Sequence, residues 1–165
     1  MDTRNWTTED WKDFFIRWEE EQYHQQNLDA IDKYYSPDLV DHHLPPGYPA
    51  GNDGKRQLVR ELLEAFPDFH ITLEDLVVEK EPDGGGDKIV ERFTISGTHH
   101  GEYRGIPGTG NRFETHGMSI CRFVDGMQVE HWAVVDELDM LQQLGVIELP
   151  YRDDGPTPSG VSVTQ

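Results

Sequence analysis

The stretch FETHGMSICRFVDGMQVEHWAVVD, residues 113–136, alternates apolar and polar side chains on both sides of Asp125 and Gly126. An Asp-Gly pair between two alternating runs is the strongest short-range signal of a β-hairpin, because both residues tolerate the positive φ angles of a tight turn. The stretch therefore predicts two antiparallel strands joined by a two-residue turn. Such a turn would pair His131 with Ile120 and Asp136 with Thr115.

This pairing assigns the side chains of the hairpin to two faces of the sheet. One face carries His116, Met118, Ile120, Val129, His131 and Val135, and the other carries Ser119, Cys121, Phe123, Trp132, Val134 and Asp136. His131 and Asp136 thus fall on opposite faces. They could share a pocket only if the strand were irregular between them, so a catalytic Asp136 predicts a distortion there.

Upstream of the hairpin, the pattern changes from helical to alternating near residue 69. Residues 70–82 and 87–103 alternate with period two around the turn PDGGG, and they predict two further antiparallel strands. Before them, apolar residues at helical spacing predict a first helix from Thr8 to about residue 24, a short second helix that ends at Ser36-Pro37, and a third that ends at Pro67.

Helices followed by a run of strands predict an α+β fold, in which a curved antiparallel sheet wraps over the N-terminal helices and encloses a pocket. The length fits a single domain over residues 1–150. The tail, residues 151–165, has too few apolar residues to pack and is expected to be flexible. Cys121, within an alternating strand, is expected to be a core residue.

The charge of the chain excludes several kinds of partner. There are 32 acidic and 14 basic residues, which give a formal net charge of −18. Nucleic acids and anionic membranes are therefore not expected to bind. Screening by salt relieves the self-repulsion of such a surface, so we expect a protein from a salt-adapted organism. A leader sequence and a long apolar run are both lacking, which favours a cytoplasmic location.

The eight histidines raise the possibility of a metal site. The clusters DHH at 41–43 and THH at 98–100 can each direct only one of two neighbouring histidines to a given face of a strand. Because the sequence lacks HExxH or a comparable ligand spacing, we expect no metal and no other cofactor.

Asp136 has two interpretations that the residues alone leave open. It precedes ELDMLQQLG, a short helix that ends at Gly145, and an aspartate in this place caps the first turn. It also ends the last strand, where a pocket mouth is expected, so one carboxylate could both cap the helix and act in catalysis.

Four stretches together resemble the SnoaL-like polyketide cyclases, also called ester cyclases. They are NLDAIDKYYSPDLVDHH, LLEAFPDFHITLEDLVVE, ERFTISGTHHGEYRGIPGTGNRFETHG and CRFVDGMQVEHWAVVDELDMLQQLG, and the likeness covers about residues 10–147. The resemblance implies the cone fold of the nuclear-transport-factor-2-like (NTF2-like) superfamily. Some relatives carry an acid directly after the tryptophan of EHW, where this chain has Ala133.

The resemblance also implies a chemistry, an intramolecular aldol condensation without metal or cofactor. An aspartate acts as acid and base in a largely apolar pocket, and the candidate in this chain is Asp136. His131 would donate a hydrogen bond to the enolate or carbonyl oxygen. A second group of residues would bind or enclose a small carbonyl-bearing or hydrophobic ligand: His116, His42, His99, Trp132, Phe93 and Met118. Trp132 and Phe93 could instead be core residues, and His42 could bond a loop.

Two functions therefore stay open. One is a cofactor-free cyclase that acts on a small polyketide-like or dicarbonyl compound. The other is a small-molecule binding protein without turnover, or an isomerase or hydrolase of the same superfamily, because one fold supports many functions. Apolar residues on both faces of the predicted sheet further predict a homodimer, or a higher homo-oligomer, formed through the outer face.

Overall fold

A computed structural model of the chain describes residues 3–81 and 85–148. Its helices are α1 (Thr8–Glu19), continued by a π-helical turn (Glu20–His24), α2 (Ala30–Tyr34), α3 (Gly51–Ala65) and α4 (Glu137–Gln143). Its strands are β1 (Tyr35–Asp41), β2 (His70–Glu79), β3 (Asp87–Thr98), β4 (Arg112–Val124) and β5 (Met127–Val135). The predicted tail and residues 82–84 of the predicted PDGGG turn lie outside the described residues.

The predicted α+β architecture is confirmed, but the sheet is mixed. Its strand order is β1-β5-β4-β3-β2, with antiparallel pairing from β5 through β2 and parallel pairing between β1 and β5. The expectation of a purely antiparallel sheet was therefore wrong for its first strand. The sheet packs its buried face against α1 and α3, and α4 lies against β4.

Strand β1 was missed because its sequence shows a helix stop and no clear alternation. Pro37 cannot donate a backbone hydrogen bond, so it fits only an edge strand or a bulge. β1 is such an edge, and its register with β5 shifts between Tyr35 and Val40. Beyond it, the backbone N–H of His42 donates to the carbonyl of His131 at 2.9 Å, which places residues 41–43 beside the middle of β5.

The hairpin turn at Asp125 and Gly126 is confirmed, with φ angles of 51° and 79°. The strands it joins, however, change register. Phe123 pairs with Gln128 near the turn, but Arg122 pairs with Glu130, so β5 carries one extra residue between these pairs. The register shift separates Arg122 from Phe123, and pairing then continues without interruption from His131 to Val135. The distortion predicted between His131 and Asp136 is absent from β5.

This bulge reverses the predicted faces for the second half of β5. His131 pairs with Cys121 and shares the buried face, while Trp132 pairs with Ile120 on the outer face. The predictions that His131 lies beside Met118 and that Trp132 lies beside Cys121 were therefore wrong. A single extra residue moves every later side chain to the opposite face, because side chains alternate with period two.

The core is dominated by aromatic side chains from α1. Thr7 caps this helix, one residue before the predicted start, and forms a capping box with Asp10. Four aromatic residues of the helix pack around the buried ring of Phe123, with ring centroids between 5.0 and 6.0 Å away: Trp11, Phe14, Phe15 and Trp18. The predicted burial of Cys121 is also confirmed. Among the described residues, no helix is long and apolar enough to cross a membrane.

Candidate active site

A cavity of about 130 Å³ lies between the concave face of the sheet and helices α3 and α4. Its walls are mostly apolar, and Gly117 helps to shape them. A Cβ atom on Gly117 would lie 2.4 Å from the ring of Phe93, so glycine is what allows this ring to lie across β4. The polar side chains of the lining are Tyr23, His43, Lys55, Glu91, Tyr103, Arg104, His131 and Glu137.

Three buried charged or titratable side chains meet at one end of this cavity. Asp41 ends β1, Lys55 lies on α3, and His131 lies on β5. One carboxylate oxygen of Asp41 lies 2.8 Å from Nδ1 of His131, and the other accepts from Nζ of Lys55 at 3.1 Å. The Asp41 side chain is fully buried, and the other two side chains are less than one tenth exposed.

Mutual charge determines the protonation of these three groups. Burial alone would raise the pKa of Asp41, but the Lys55 charge and the His131 hydrogen bond hold it well below its usual range. Burial lowers the pKa of His131 to about 4, and the Lys55 charge adds to this effect. Burial opposes the charge on Lys55, yet Asp41 raises its pKa, so the amine stays protonated.

These protonation states fix the role of each nitrogen of His131. An ionised carboxylate can only accept hydrogen bonds, so Nδ1 of the neutral imidazole must carry the proton and donate it to Asp41. Nε2 then holds the lone pair. His131 lines the cavity, and Nε2 is the nitrogen of its ring that is free to accept a proton.

Two glutamates near His131 are also buried. Glu91 on β3 accepts a 2.6 Å hydrogen bond from Oγ of Ser119, and burial raises its pKa to about 7. Glu19, at the end of α1, has its pKa raised to about 8, first by burial and then by the charge of Glu91. Near neutral pH, Glu91 can therefore either give or take a proton.

The glutamates line a second cavity of about 40 Å³. This cavity and the larger one share Tyr23, Lys55, Ile71, Glu91 and His131 in their linings. We refer to the larger space as the apolar cavity and to the smaller one as the polar floor. The shared residues place the two spaces next to each other on the concave face of the sheet.

The sequence-predicted site residues divide between the two faces of the sheet. Phe93 and His131 line the apolar cavity. An open outer groove of about 850 Å³ on the opposite face contains His42, His116, Met118, Trp132 and Asp136. The predicted combination of His131 with these residues in one pocket is thus not formed.

Two histidines of the outer groove contact other side chains on the same face of the sheet. His42 stacks on Trp132 with ring centroids 4.9 Å apart, and its Nε2 lies 3.1 Å from Glu130. Nδ1 of His116 lies 3.1 Å from Oγ of Thr94.

His99, predicted to bind or enclose the ligand, is fully buried next to the loop of residues 104–111. Its ring stacks on Phe66 with centroids 5.1 Å apart, and its Nδ1 lies 3.4 Å from the backbone nitrogen of Thr109. It does not line the apolar cavity.

Asp136 is exposed and occupies the N-cap of α4. Its carboxylate accepts from the backbone N–H of Asp139 at 3.0 Å. It lines the outer groove and not the apolar cavity, and the carboxylate that holds His131 is Asp41. The cap is therefore observed, whereas a catalytic role of Asp136 stays a prediction.

Sequence reasoning missed Asp41, Lys55, Glu91 and Glu19. For Glu91 a signal existed, because it alternates with Ile89, Phe93 and Ile95 and so had to point to the same buried face. The contact of Asp41 with His131 depends on the parallel pairing of β1, which nothing in the sequence indicated.

Among the residues that the structure describes, no group of three or more His, Cys, Asp or Glu side chains could hold a metal.

The buried proton on Glu91 should make stability depend on pH. The folded state keeps this proton up to about pH 7, whereas an unfolded glutamate releases it near 4.5. The contribution is therefore complete below pH 4.5 and is lost as the pH rises through 7. Relative to Glu91→Gln, the wild type should lose about 3 kcal/mol of unfolding free energy between pH 5 and 9.

Denaturant unfolding across this pH range measures the difference. Glu102→Gln removes the same formal charge from an exposed residue and serves as the control. Parallel pH profiles for the wild type and Glu91→Gln would show that Glu91 is ionised in the folded protein.

The comparisons with known proteins agree with this fold. The family model of SnoaL-like polyketide cyclases matches residues 15–144. TsrD from Streptomyces laurentii has 27% identity, with 87% of this chain and 100% of its own covered, and a TM-score of 0.75. AclR from Streptomyces galilaeus, described as a candidate hydroxylase, has 27% identity, 86% and 100% coverage, and a TM-score of 0.69.

IdmH from Streptomyces antibioticus, described as a candidate polyketide cyclase, has 32% identity, with 82% of this chain and 98% of its own covered, and a TM-score of 0.65. No curated protein matches the sequence. The resemblance drawn from the four sequence stretches and the NTF2-like α+β fold are both confirmed. The chain belongs to the SnoaL-like polyketide cyclase family.

Proposed function

We propose that this protein catalyses a cofactor-free acid/base reaction, an intramolecular aldol-type cyclisation of a small polyketide-like or dicarbonyl compound, in the apolar cavity. The observation that carries the proposal is the 2.8 Å contact between Asp41 and Nδ1 of His131, a residue that lines this cavity. A carboxylate that orients an imidazole and stabilises its protonated form is a recurring arrangement for a general base.

In the proposed reaction, Nε2 of His131 takes a proton from a carbon next to a carbonyl, and Asp41 stabilises the imidazolium that forms. The enolate carbon attacks the second carbonyl of the same molecule, which forms the new C–C bond. The electron pair of that C=O bond moves to oxygen, which takes the proton of Glu91. Transfer of a proton from His131 to Glu91 then restores both groups.

The geometry also offers a reason why Asp136 need not be the acid/base residue of the reaction. Some relatives carry an acid directly after the tryptophan of EHW, and the corresponding Ala133 lines the apolar cavity in this chain. With no carboxylate there, the acid/base work falls to other groups that reach the same space. His131 and Glu91 both do so.

A second function, binding of a small molecule without turnover, is favoured by one observation. Position 133, where some relatives carry an acid, is alanine in this chain, so the acid of that pattern is missing from the apolar cavity. A related chemistry is also open, because AclR, at 27% identity, is described as a candidate hydroxylase. The experiment below separates turnover from binding.

Exchange of the methyl protons of acetophenone in D₂O, followed by proton NMR, tests the base without knowledge of the natural substrate. We expect the wild type to accelerate exchange and His131→Gln to lose about 100-fold or more of this rate, since general bases contribute on that scale. Asp136→Asn keeps a competent cap and should leave the rate unchanged.

The opposite pattern, with loss in Asp136→Asn and none in His131→Gln, would make Asp136 the base, as the sequence predicted. A wild-type rate equal to that of the buffer would favour the binding protein.

We further propose a homodimer formed through the outer face of the sheet. Met118, Ile120 and Val134 are between 41% and 76% exposed on this face, and a second copy would cover them.

Light scattering at micromolar concentration in molar KCl should give a dimer for the wild type and a monomer for Val134→Lys. Ile16→Lys, at an exposed site on α1, is the control, and a monomeric wild type would refute the dimer.

The formal charge of −18 supports a cytoplasmic protein of a salt-adapted organism. Screening of repulsion between carboxylates should raise the thermal midpoint as KCl increases from low to molar concentration. Thermal melts followed by circular dichroism measure this change. A midpoint that stays flat or falls would contradict the salt adaptation.

A further inference from the structure

The polar floor contains hydrogen-bonding atoms that the protein does not satisfy. Gln128 on β5 is fully buried and lines the floor, yet neither its Oε1 nor its Nε2 has a hydrogen-bond partner. Oε1 of Glu19, in the same lining, is also buried without a partner. Buried polar atoms of this kind cost stability, so each calls for an explanation such as a bound water or ligand.

The floor is small, and its polar groups include both hydrogen-bond donors and hydrogen-bond acceptors. At about 40 Å³ it can hold one or two waters or one small functional group. The amide of Gln128 offers donors and an acceptor, and a protonated Glu19 offers a donor. A group that both accepts and donates hydrogen bonds would satisfy them together.

The charges around the floor favour a neutral group. Lys55 is already paired with Asp41, and an anion would lie against the oxygens of Glu19 and Glu91. Burial of an unpaired charge is also costly in itself. A carboxylate head group is therefore disfavoured, whereas a carbonyl, hydroxyl or amide meets no opposing charge.

The volume of the apolar cavity next to the floor limits the size of the rest of the ligand. A cavity of about 150 Å³ holds one benzene, so the space of about 130 Å³ suits a single ring or an equally short chain. His131 and Glu91 line both spaces and would lie beside the junction of ring and head group.

We infer that the polar floor is a binding subsite for the neutral polar end of the ligand, with Gln128 as its specificity-determining residue. The ligand class is a single-ring compound that places a carbonyl, hydroxyl or amide group in the floor. The inference rests on the proposed function, since it concerns the same cavity. Closure of a short dicarbonyl chain by an aldol step yields a molecule of this class, a ring that carries oxygen functions.

Benzamide, toluene and benzoate serve as probes, because they share one ring and differ in the head group. Their dissociation constants are measured by NMR titration at pH 7 on the full chain. We expect the wild type to prefer benzamide to both others, by about tenfold over toluene, which corresponds to about 1.4 kcal/mol. Gln128→Met keeps the shape of the side chain and should abolish this preference.

Two controls keep the test independent of folding. Gln128→Met removes unsatisfied buried atoms, so its thermal midpoint should equal or exceed that of the wild type. Gln22→Met changes another fully buried glutamine, whose Oε1 accepts from Trp18 and which lines neither cavity, and should keep the benzamide preference.

An unchanged benzamide preference in Gln128→Met would overturn the inference, and with a lowered midpoint it would assign Gln128 to a structural water only. Failure of the wild type to bind benzamide, or tighter binding of benzoate, would also overturn it. Acetophenone exchange would still be lost in His131→Gln in each case if the proposed function holds, so the two can fail separately.

Discussion

The buried carboxylate of Asp41 is the group on which the arrangement of the site depends. It joins three elements that are distant in the chain, because β1 supplies the carboxylate, α3 supplies Lys55, and β5 supplies His131. A fully buried charge is tolerated only when it is paired and hydrogen-bonded. Its two partners thus hold the edge strand, the helix and the last strand in one geometry. The contact with Asp41 orients His131, whereas burial and the Lys55 charge keep its imidazole neutral.

The bulge in β5 determines which face this geometry uses. With one extra residue between Gln128 and Glu130, His131 reaches the concave face and Trp132 the outer face. The sequence contains the hairpin turn plainly, since Asp-Gly is a strong local signal, but no local signal indicated the bulge. An ideal hairpin therefore predicted the right strands but the wrong faces after the bulge. His131 lies in the apolar cavity, whereas the outer groove contains His116, Met118, Trp132 and Asp136.

The parts that sequence could predict are those governed by local periodicity. The helical stripe of α1, the alternating strands and the cap at Asp136 each follow from neighbours within a few residues. The candidate site does not, because Asp41 and His131 are 90 residues apart and meet only through a parallel edge strand that contains Pro37. Glu91 lies between these cases, since the inward direction of its side chain was readable from the sequence whereas its raised pKa depends on burial in the folded chain.

The buried polar residues of the floor lower the stability of the folded protein. Gln128, Glu19 and Glu91 occupy core positions that apolar residues of similar shape would fill with less cost, because unsatisfied or desolvated polar groups oppose folding. Repulsion among the carboxylates of this acidic chain opposes folding as well. Local features that work against folding tend to lie at functional sites. The cost of the polar floor therefore supports the proposed location of the site on the concave face of the sheet, where His131 and Glu91 line both the floor and the apolar cavity.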